Sequence, residues 1–192
     1  MLLVASATFN SPGRGSPSPS RSRGGARPTA RRAEAAAQPG GCRPKLPGHM
    51  RVEEATAVSP ELVSALGRLV GQLSTTASIP TAEEIQEIVD SAATRLLLAR
   101  DHDHNIIGTL TLRLFRVPTG MRAWIEDVVV DEAARGQGAG QALTEEALRL
   151  ARAAGARTVD LTSRPEREAA NRLYESLGFA RRSTSVYRYE LS

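Results

Sequence analysis

The chain has a single cysteine, Cys42, among 192 residues, and it sits in a stretch rich in Gly, Pro, Ser and Arg. A lone thiol closes no intramolecular disulfide, and one outside the apolar part of the chain supplies that part with neither a nucleophile nor a metal ligand. Long apolar runs are also missing. No stretch approaches the roughly 20 residues that cross a bilayer, and Leu2 to Val4 is too short, and lacks the basic flank, for a secretory signal. Histidine is scarce at three copies. His102 and His104 have a metal-like spacing, but no third ligand cluster accompanies them and they fall in an Asp/Asn-rich turn, so a solvated loop is expected and no metal.

What is present divides sharply near Met50. Residues 1–49 hold 7 Gly, 7 Pro and 6 Ser, with 8 Lys and Arg against the single acid Glu34. Such a composition offers little apolar surface to offset ordering entropy, and a disordered tail is expected. Residues 50–192 carry 17 basic and 20 acidic side chains, so the net charge of +4 belongs to the tail. It gives no reason to expect nucleic acid as a partner of the domain. The tail reads as an organelle transit peptide, as a basic arm touching RNA or membrane, or as the product of an upstream start. The last is preferred, because Met50-Arg51-Val52-Glu53 opens a plausible first strand and leaves a domain of ordinary size.

Within 50–192 the elements alternate. Arg51 to Ala55 reads as a strand, and Ser59-Pro60 as the cap and first residue of a helix with Leu62, Leu66, Leu69, Val70 and Leu73 on one stripe. Thr81-Ala82-Glu83-Glu84 is a capping box before Ile85, Ile88 and Val89. Strands follow at 95–100, 106–116 and 121–130. A helix after residue 138 carries Leu143, Ala147, Leu150 and Ala154 and stops at Gly155. Thr158 to Thr162 reads as a strand, Ser163-Arg164-Pro165-Glu166 as the opening of a helix to Leu177, and 179–182 and 186–191 as closing strands. No internal repeat is seen. The layout is α/β, with an antiparallel start and a parallel crossover.

The chemistry is concentrated in Val128-Val129-Val130, a polar turn, and then Arg135-Gly136-Gln137-Gly138-Ala139-Gly140-Gln141 at a helix start. Glycines let consecutive N–H groups converge at a helix N-terminus, where roughly half a positive charge favours an anion, and Arg135 adds its own. Two phosphate loops fail here. Gln141 and Ala142 follow Gly140 where a P-loop needs Lys and Ser or Thr, and the alternating glycines miss the Rossmann spacing and its downstream acid.

The pattern Arg-x-x-Gly-x-Gly at 135–140 instead resembles the pyrophosphate loop of the GNAT N-acetyltransferases. Ala170-Asn171-Arg172-Leu173-Tyr174-Glu175-Ser176-Leu177-Gly178-Phe179 resembles that family's Ala-x-x-Leu-Tyr-x-x-x-Gly-Phe ending. The resemblance implies the GNAT acyl-CoA N-acyltransferase fold, a central mixed, mostly antiparallel sheet flanked by helices. It implies a cytoplasmic enzyme using acetyl-CoA as co-substrate. Cofactor-binding positions would be Val128, Val129, Val130, Arg135, Gly136, Gln137, Gly138, Ala139, Gly140 and Gln141, with the backbone of 128–130 splayed from its neighbour to meet the pantetheine arm and polarise the thioester carbonyl.

Tyr174 is the candidate acid for the departing thiolate and Glu126 the candidate base, with Asp127 as its substitute. Period-two alternation puts Glu126 on one face with Trp124, Val128 and Val130, where a carboxylate beside apolar surface is disposed to take a proton. Ile125-Glu126-Asp127-Val128 is also similar to the Ile-Glu-Asp-Ile segment of glucosamine-6-phosphate N-acetyltransferases. Many family members carry Asn seven residues before the tyrosine; here that position is Arg167, and Asn171, on the same helical face, is the replacement expected to bind the cofactor.

The acceptor amine is left open among aminosugar, amino acid, polyamine and protein N-terminus. The helices between 59 and 91 and the segment 180–187 would shape its site, with Arg181, Arg182, Ser183 and Thr184 available to an anionic group. A homodimer is left open. Two other functions stand beside the enzyme: a non-catalytic CoA-binding sensor, and an RNA-associated protein acting through the Arg-rich tail.

Overall fold

In the computed structural model, local capping signals in the sequence become helix starts. The described residues are 50–74 and 76–191, and they lie within one unit, Arg43–Ser192. The basic segment 1–49, with Cys42, lies outside them. Strand β1 (Arg51–Glu54) leads to α1 (Pro60–Leu73), where the Ser59 hydroxyl accepts the Leu62 N–H at 3.1 Å. Helix α2 (Ala82–Asp90) opens on a complete capping box: Thr81 Oγ1 accepts from Glu84 N at 3.2 Å, and Glu84 Oε2 accepts from Thr81 N at 2.8 Å. Each such cap is worth about 1 kcal/mol.

Next come β2 (Thr94–Arg100), β3 (Ile106–Val117) and β4 (Gly120–Val130), then a 3-10 turn (Glu132–Ala134), α3 (Ala139–Ala153), β5 (Val159–Leu161) and α4 (Glu168–Ser176). The sheet runs β1-β2-β3-β4-β5. Its first three pairings are antiparallel, and β5 joins β4 in parallel. This is the mixed, mostly antiparallel sheet flanked by helices that the sequence motifs implied.

Each face of the sheet has its own core. Leu62, Ala65, Leu66 and Leu69 of α1 and Ile85 of α2 bury against Leu96, Leu98, Ile106 and Val129. On the opposite face Ala139, Leu143, Ala147 and Ala151 of α3 bury against Leu97, Leu110, Leu112, Ala123 and Ile125, with Val128 and Val130 packed on the same cluster. The alternation in β3 is visible here: Leu110 and Leu112 are fully buried, while Arg113 is exposed.

Strand β4 does not keep its alternation. Thr109 pairs with Val129 and Thr111 with Glu126, so two steps on β3 face three on β4. The extra residue is a β-bulge at Asp127, whose φ of 48° lies in the left-handed region. Ala123 and Ile125 before it, and Val128 and Val130 after it, therefore share the α3 face. Trp124 and Glu126 point the other way, with Val129. The expected common face of Glu126, Val128 and Val130 is thus corrected: one inserted residue exchanges the two faces beyond it.

The C-terminal third also departs from expectation. Helix α4 starts at Glu168, capped by Arg167 without a side-chain bond, and not at Ser163. Pro165 disfavours helical geometry at Arg164, and the Asn171 side-chain amide holds the carbonyls of Arg164 and Pro165 at 3.0 and 3.3 Å in a loop. Residues 179–191 form no strand, and Val186, Tyr187, Tyr189 and Leu191 are exposed. Alternation marks a preference for strand, but pairing needs an edge of matching length, and β5 offers three residues.

The bulge yields a direct test. A β-branched side chain in left-handed geometry costs about 1–2 kcal/mol, whereas Asn tolerates it. Asp127→Val is expected to lower stability by about that amount and Asp127→Asn to leave it nearly unchanged, as read by chemical denaturation.

Candidate active site

The bulge and the short β5 together open a gap. Strand β5 pairs with β4 only at Ala123, Trp124 and Ile125. The Asp131 N–H bonds the Ile107 carbonyl of β3 at 2.8 Å, and by period two the Val129 N–H faces β3 as well. The backbone groups of Val128 and Val130 consequently face the side that β5 has left. Among the described residues two buried side-chain atoms near this gap lack a hydrogen-bond partner: Trp124 Nε1, level with Asp160 of β5, and Ser163 Oγ, just past the end of β5.

At the mouth of the gap lies the glycine loop. Gly136 and Gly138 have φ of 78° and 89°, and Gly138 caps α3 with no side-chain bond. Among the described residues no hydrogen bond ends on the N–H groups of Gly136, Gln137, Gly138, Ala139, Gly140 or Gln141. Left-handed residues alternating with others turn successive N–H groups into one concavity, and the α3 dipole adds to its field. The side chains of Gln137 and Gln141 bond back to Ala133 O and Glu145 Oε1, leaving their backbones to the concavity. Gly140 has a different role, since a Cβ there would come within 3.3 Å of Leu173 on α4.

Arg135 stands beside the loop on an exposed ion pair with Glu132 at 3.2 Å. Such a pair is worth at most about 1 kcal/mol, so the guanidinium is easily recruited by a stronger anion. The turn leading to it is anchored from α1. Asp131 accepts the Ala133 N–H at 3.1 Å and forms an ion pair with Arg68, whose other nitrogen donates to Ile106 O at 2.9 Å. Nothing in the local sequence signals this tie, because its partners are about 40 and 60 residues apart.

Tyr174 sits on α4, half-buried, edge-on to Phe179 with ring centres 5.8 Å apart. Burial pushes its phenol above the ordinary value, and the field of Arg167 opposes that rise. Helix α4 meets α3 at Leu173 and Gly140, so Tyr174 approaches from the α3 side. Glu126 is half-buried on the α1 side, opposite Thr111, and Asp127 is exposed at the bulge. Tyr174 lines a cavity with Asp160, Thr162, Ser163 and Asn171, whereas Glu126 lies on the α1 face of the sheet, so the candidate acid and base stand on different sides of it. The NH₂ group of Asn171 is committed to the loop carbonyls already described, which leaves only its oxygen for a ligand. Among the described residues no group of three or more His, Cys, Asp or Glu is placed to share a metal, and no helix is long and apolar enough to cross a membrane.

A sheet opened between a fourth and a fifth strand, with a glycine-built N–H concavity leading into the next helix, fits an acyltransferase fold. The chain belongs to the acetyltransferase (GNAT) family, whose profile matches residues 69–179. No curated protein matches it. Among solved structures it resembles an acetyltransferase of Trypanosoma brucei, with 26% identity, a TM-score of 0.61, and 74% of this chain and 99% of that one covered. In fold it also resembles glucosamine-6-phosphate N-acetyltransferase from Arabidopsis thaliana, with 23% identity, a TM-score of 0.60 and coverage of 73% and 97%. A third resemblance in fold is to an aminoglycoside acetyltransferase from an uncultured soil metagenomic sample in complex with sisomicin, with 20% identity, a TM-score of 0.67 and coverage of 74% and 97%.

The environment of Tyr174 sets the sign of one measurement. A phenol raised above about 10 by burial keeps its proton longer in the folded chain than in the unfolded one. Its contribution to stability is therefore present below pH 10 and falls as pH rises through that value, where the unfolded chain ionises first. Ultraviolet difference titration of the wild type against Tyr174→Phe should place its ionisation above pH 10. A midpoint at or below 10 would refute the buried phenol.

Proposed function

We propose that the protein is an acetyl-CoA-dependent N-acetyltransferase that acts on a primary amine of a small molecule or peptide by direct transfer. The observation that carries the reading is the row of six uncommitted N–H groups from Gly136 to Gln141, set where the β4–β5 gap opens. These amides, with Arg135, would hold the pyrophosphate of the co-substrate. The backbone of Val128 and Val130 would hold its pantetheine arm in the gap, Val129 would anchor that strand from the α1 side, and the oxygen of Asn171 would lie along the same path.

Glu126 would take the proton of the attacking amine on the α1 side. As the amine nitrogen bonds the thioester carbonyl carbon, a backbone N–H of 128–130 would stabilise the charge on the carbonyl oxygen. The C–S bond then breaks, and Tyr174 would deliver its proton to the departing sulfur from the α4 side. The transferred group is acetyl, the amine loses one proton, and the thiol gains one. Residues 50–192 would form the functional unit, and the location carried over with the family resemblance would be the cytoplasm.

Two of the structural relatives are acetyltransferases of amine-bearing sugars, by their names. An aminosugar is accordingly the first acceptor to try, followed by amino acids, polyamines and peptide N-termini. A CoA-binding sensor would bind the co-substrate and release no thiol with any of them. An RNA-associated function through the tail would give an affinity that falls steeply with salt and disappears without residues 1–49.

Thiol release from acetyl-CoA across this panel, on the full chain and on residues 50–192, tests the reading; no acceptor-dependent release from either would overturn it. Tyr174→Phe keeps the ring, so co-substrate affinity should hold while turnover drops by roughly 10². Wild-type turnover would remove Tyr174 from the mechanism. In a separate variant, Gly138→Asp places a carboxylate beside the pyrophosphate on a position at φ 89° that Asp tolerates better than most residues. Calorimetry should show acetyl-CoA affinity weakened at least about tenfold with the fold retained, since the new charge repels the anion at close range.

A further inference from the structure

The gap between β4 and β5 has two lips, and the last turn of α1 touches both, in addition to the contact of α3 with α4 at Gly140 and Leu173. On the β4 side, Gln72 of α1 accepts the N–H of Glu132, in the turn that leads into the glycine loop, at 3.0 Å. On the other side, the adjacent carbonyl of Leu73 accepts from the Arg167 guanidinium at 3.2 Å. Arg167 is the N-cap of α4 and lies 94 residues from Leu73 in sequence. The last turn of α1 thus spans from the loop that opens α3 to the helix that carries Tyr174, and no strand pairing joins β4 to β5 beyond Ile125 to do so instead.

We infer that Gln72 and Arg167 are positioning residues, and that the C-terminal turn of α1 is a brace fixing the width of the co-substrate cleft. The inference rests on the proposed acetyl-CoA site. The physical argument is one of constraint. Residues 126–130 and the β5–α4 loop have no ladder between them, so their separation is set by whatever bridges them. Leu73 O is among the last carbonyls of α1, which no intrahelical N–H reaches. Arg167 satisfies it with a charged donor and holds the α4 N-terminus against it. Arg167 stands seven residues before Tyr174, and its positive charge acts on the phenol, opposing the rise that burial causes.

The position matters for a second reason. Arg167 stands where many family members have an Asn that bonds the co-substrate arm. In this chain that position reaches across the cleft to α1. Cleft width would then be set by the protein, and α1, the helix on the side from which Glu126 faces the gap, would feel the co-substrate through Gln72 and Leu73.

The test is calorimetric affinity for acetyl-CoA, with steady-state kinetics and melting temperature, on Gln72→Ala, Arg167→Gln, the double variant and Arg167→Lys. The brace predicts that each single variant weakens affinity about threefold to tenfold, as loss of one hydrogen bond does. KM for acetyl-CoA should rise more than kcat falls, and melting temperature should drop by no more than the few degrees that one hydrogen bond accounts for. The double variant should be less than additive, since cutting either anchor frees the cleft, and Arg167→Lys should restore part of the affinity. If wild type binds acetyl-CoA and both single variants bind equally well, the brace is overturned while the co-substrate site stands. Variants that lose melting temperature at unchanged affinity also overturn it, by showing a merely structural tie. If wild type does not bind acetyl-CoA, the site falls and the brace with it.

Discussion

One extra residue in β4 governs the site. Between the pairs Thr109–Val129 and Thr111–Glu126 the strand must fit three steps against two, and the left-handed turn at Asp127 absorbs the surplus. The bulge keeps β3 paired along its length, so the sheet survives, while the face order reverses. Before it, Ile125 faces α3 and Glu126 faces α1; after it, Val128 and Val130 face α3 and Val129 is buried under α1. A straight strand would have left Glu126 facing α1 and turned Val128 and Val130 to that same side. These two valines owe their place on the α3 side to the irregularity, and the parallel partner β5 ends just before it begins.

On the proposed reading the attraction for an anion would be local. Residues 50–192 carry more acids than bases, so no general field draws phosphate toward the domain. What remains is a concavity of N–H groups at a helix start, one guanidinium on a weak surface pair, and a turn tied to α1 through Arg68, Asp131 and Gln72. Fixed dipoles of this kind act without rearranging, which is the reason backbone serves here better than flexible cations. Gly138 supplies the left-handed geometry, and Gly140 lets Leu173 of α4 approach α3 closely. Two alternating glycines thus meet two different demands, one conformational and one steric.

Much of this was legible in the sequence because it is local. Ser59 and the Thr81–Glu84 box bond within three residues, and the glycine loop declares itself within six. The stripes of α1 and α3 follow from a period of 3.6 and bury as expected. Reading failed where distant partners decide. The Ser163 box is as good in composition as that of Thr81, but Pro165 and the Asn171 amide hold its residues in a loop. The alternation of 186–191 meets only the three-residue edge of β5. Period-two reasoning across Asp127 failed because nothing in Ile-Glu-Asp-Val marks a bulge. The long-range ties of Arg68 and Arg167 leave no trace in any window.

The placement of the candidate groups also bears on how a transfer would run. On the proposed reading Tyr174 would reach the gap from the α4 side and Glu126 from the α1 side, so one proton would leave on one face as another arrives on the opposite face. Direct attack of an amine on a bound thioester suits that separation, because nucleophile and leaving group depart along different directions and each has its own proton partner. A covalent acyl-enzyme would need a nucleophile in the gap and one group serving first as base and then as acid. The single cysteine lies at position 42, far from these elements in sequence. Two separated proton carriers would be redundant for such a route and necessary for the direct one, so the proposed reading has both substrates bound at once, with the co-substrate along Val128 to Gln141 and the amine admitted beside α1.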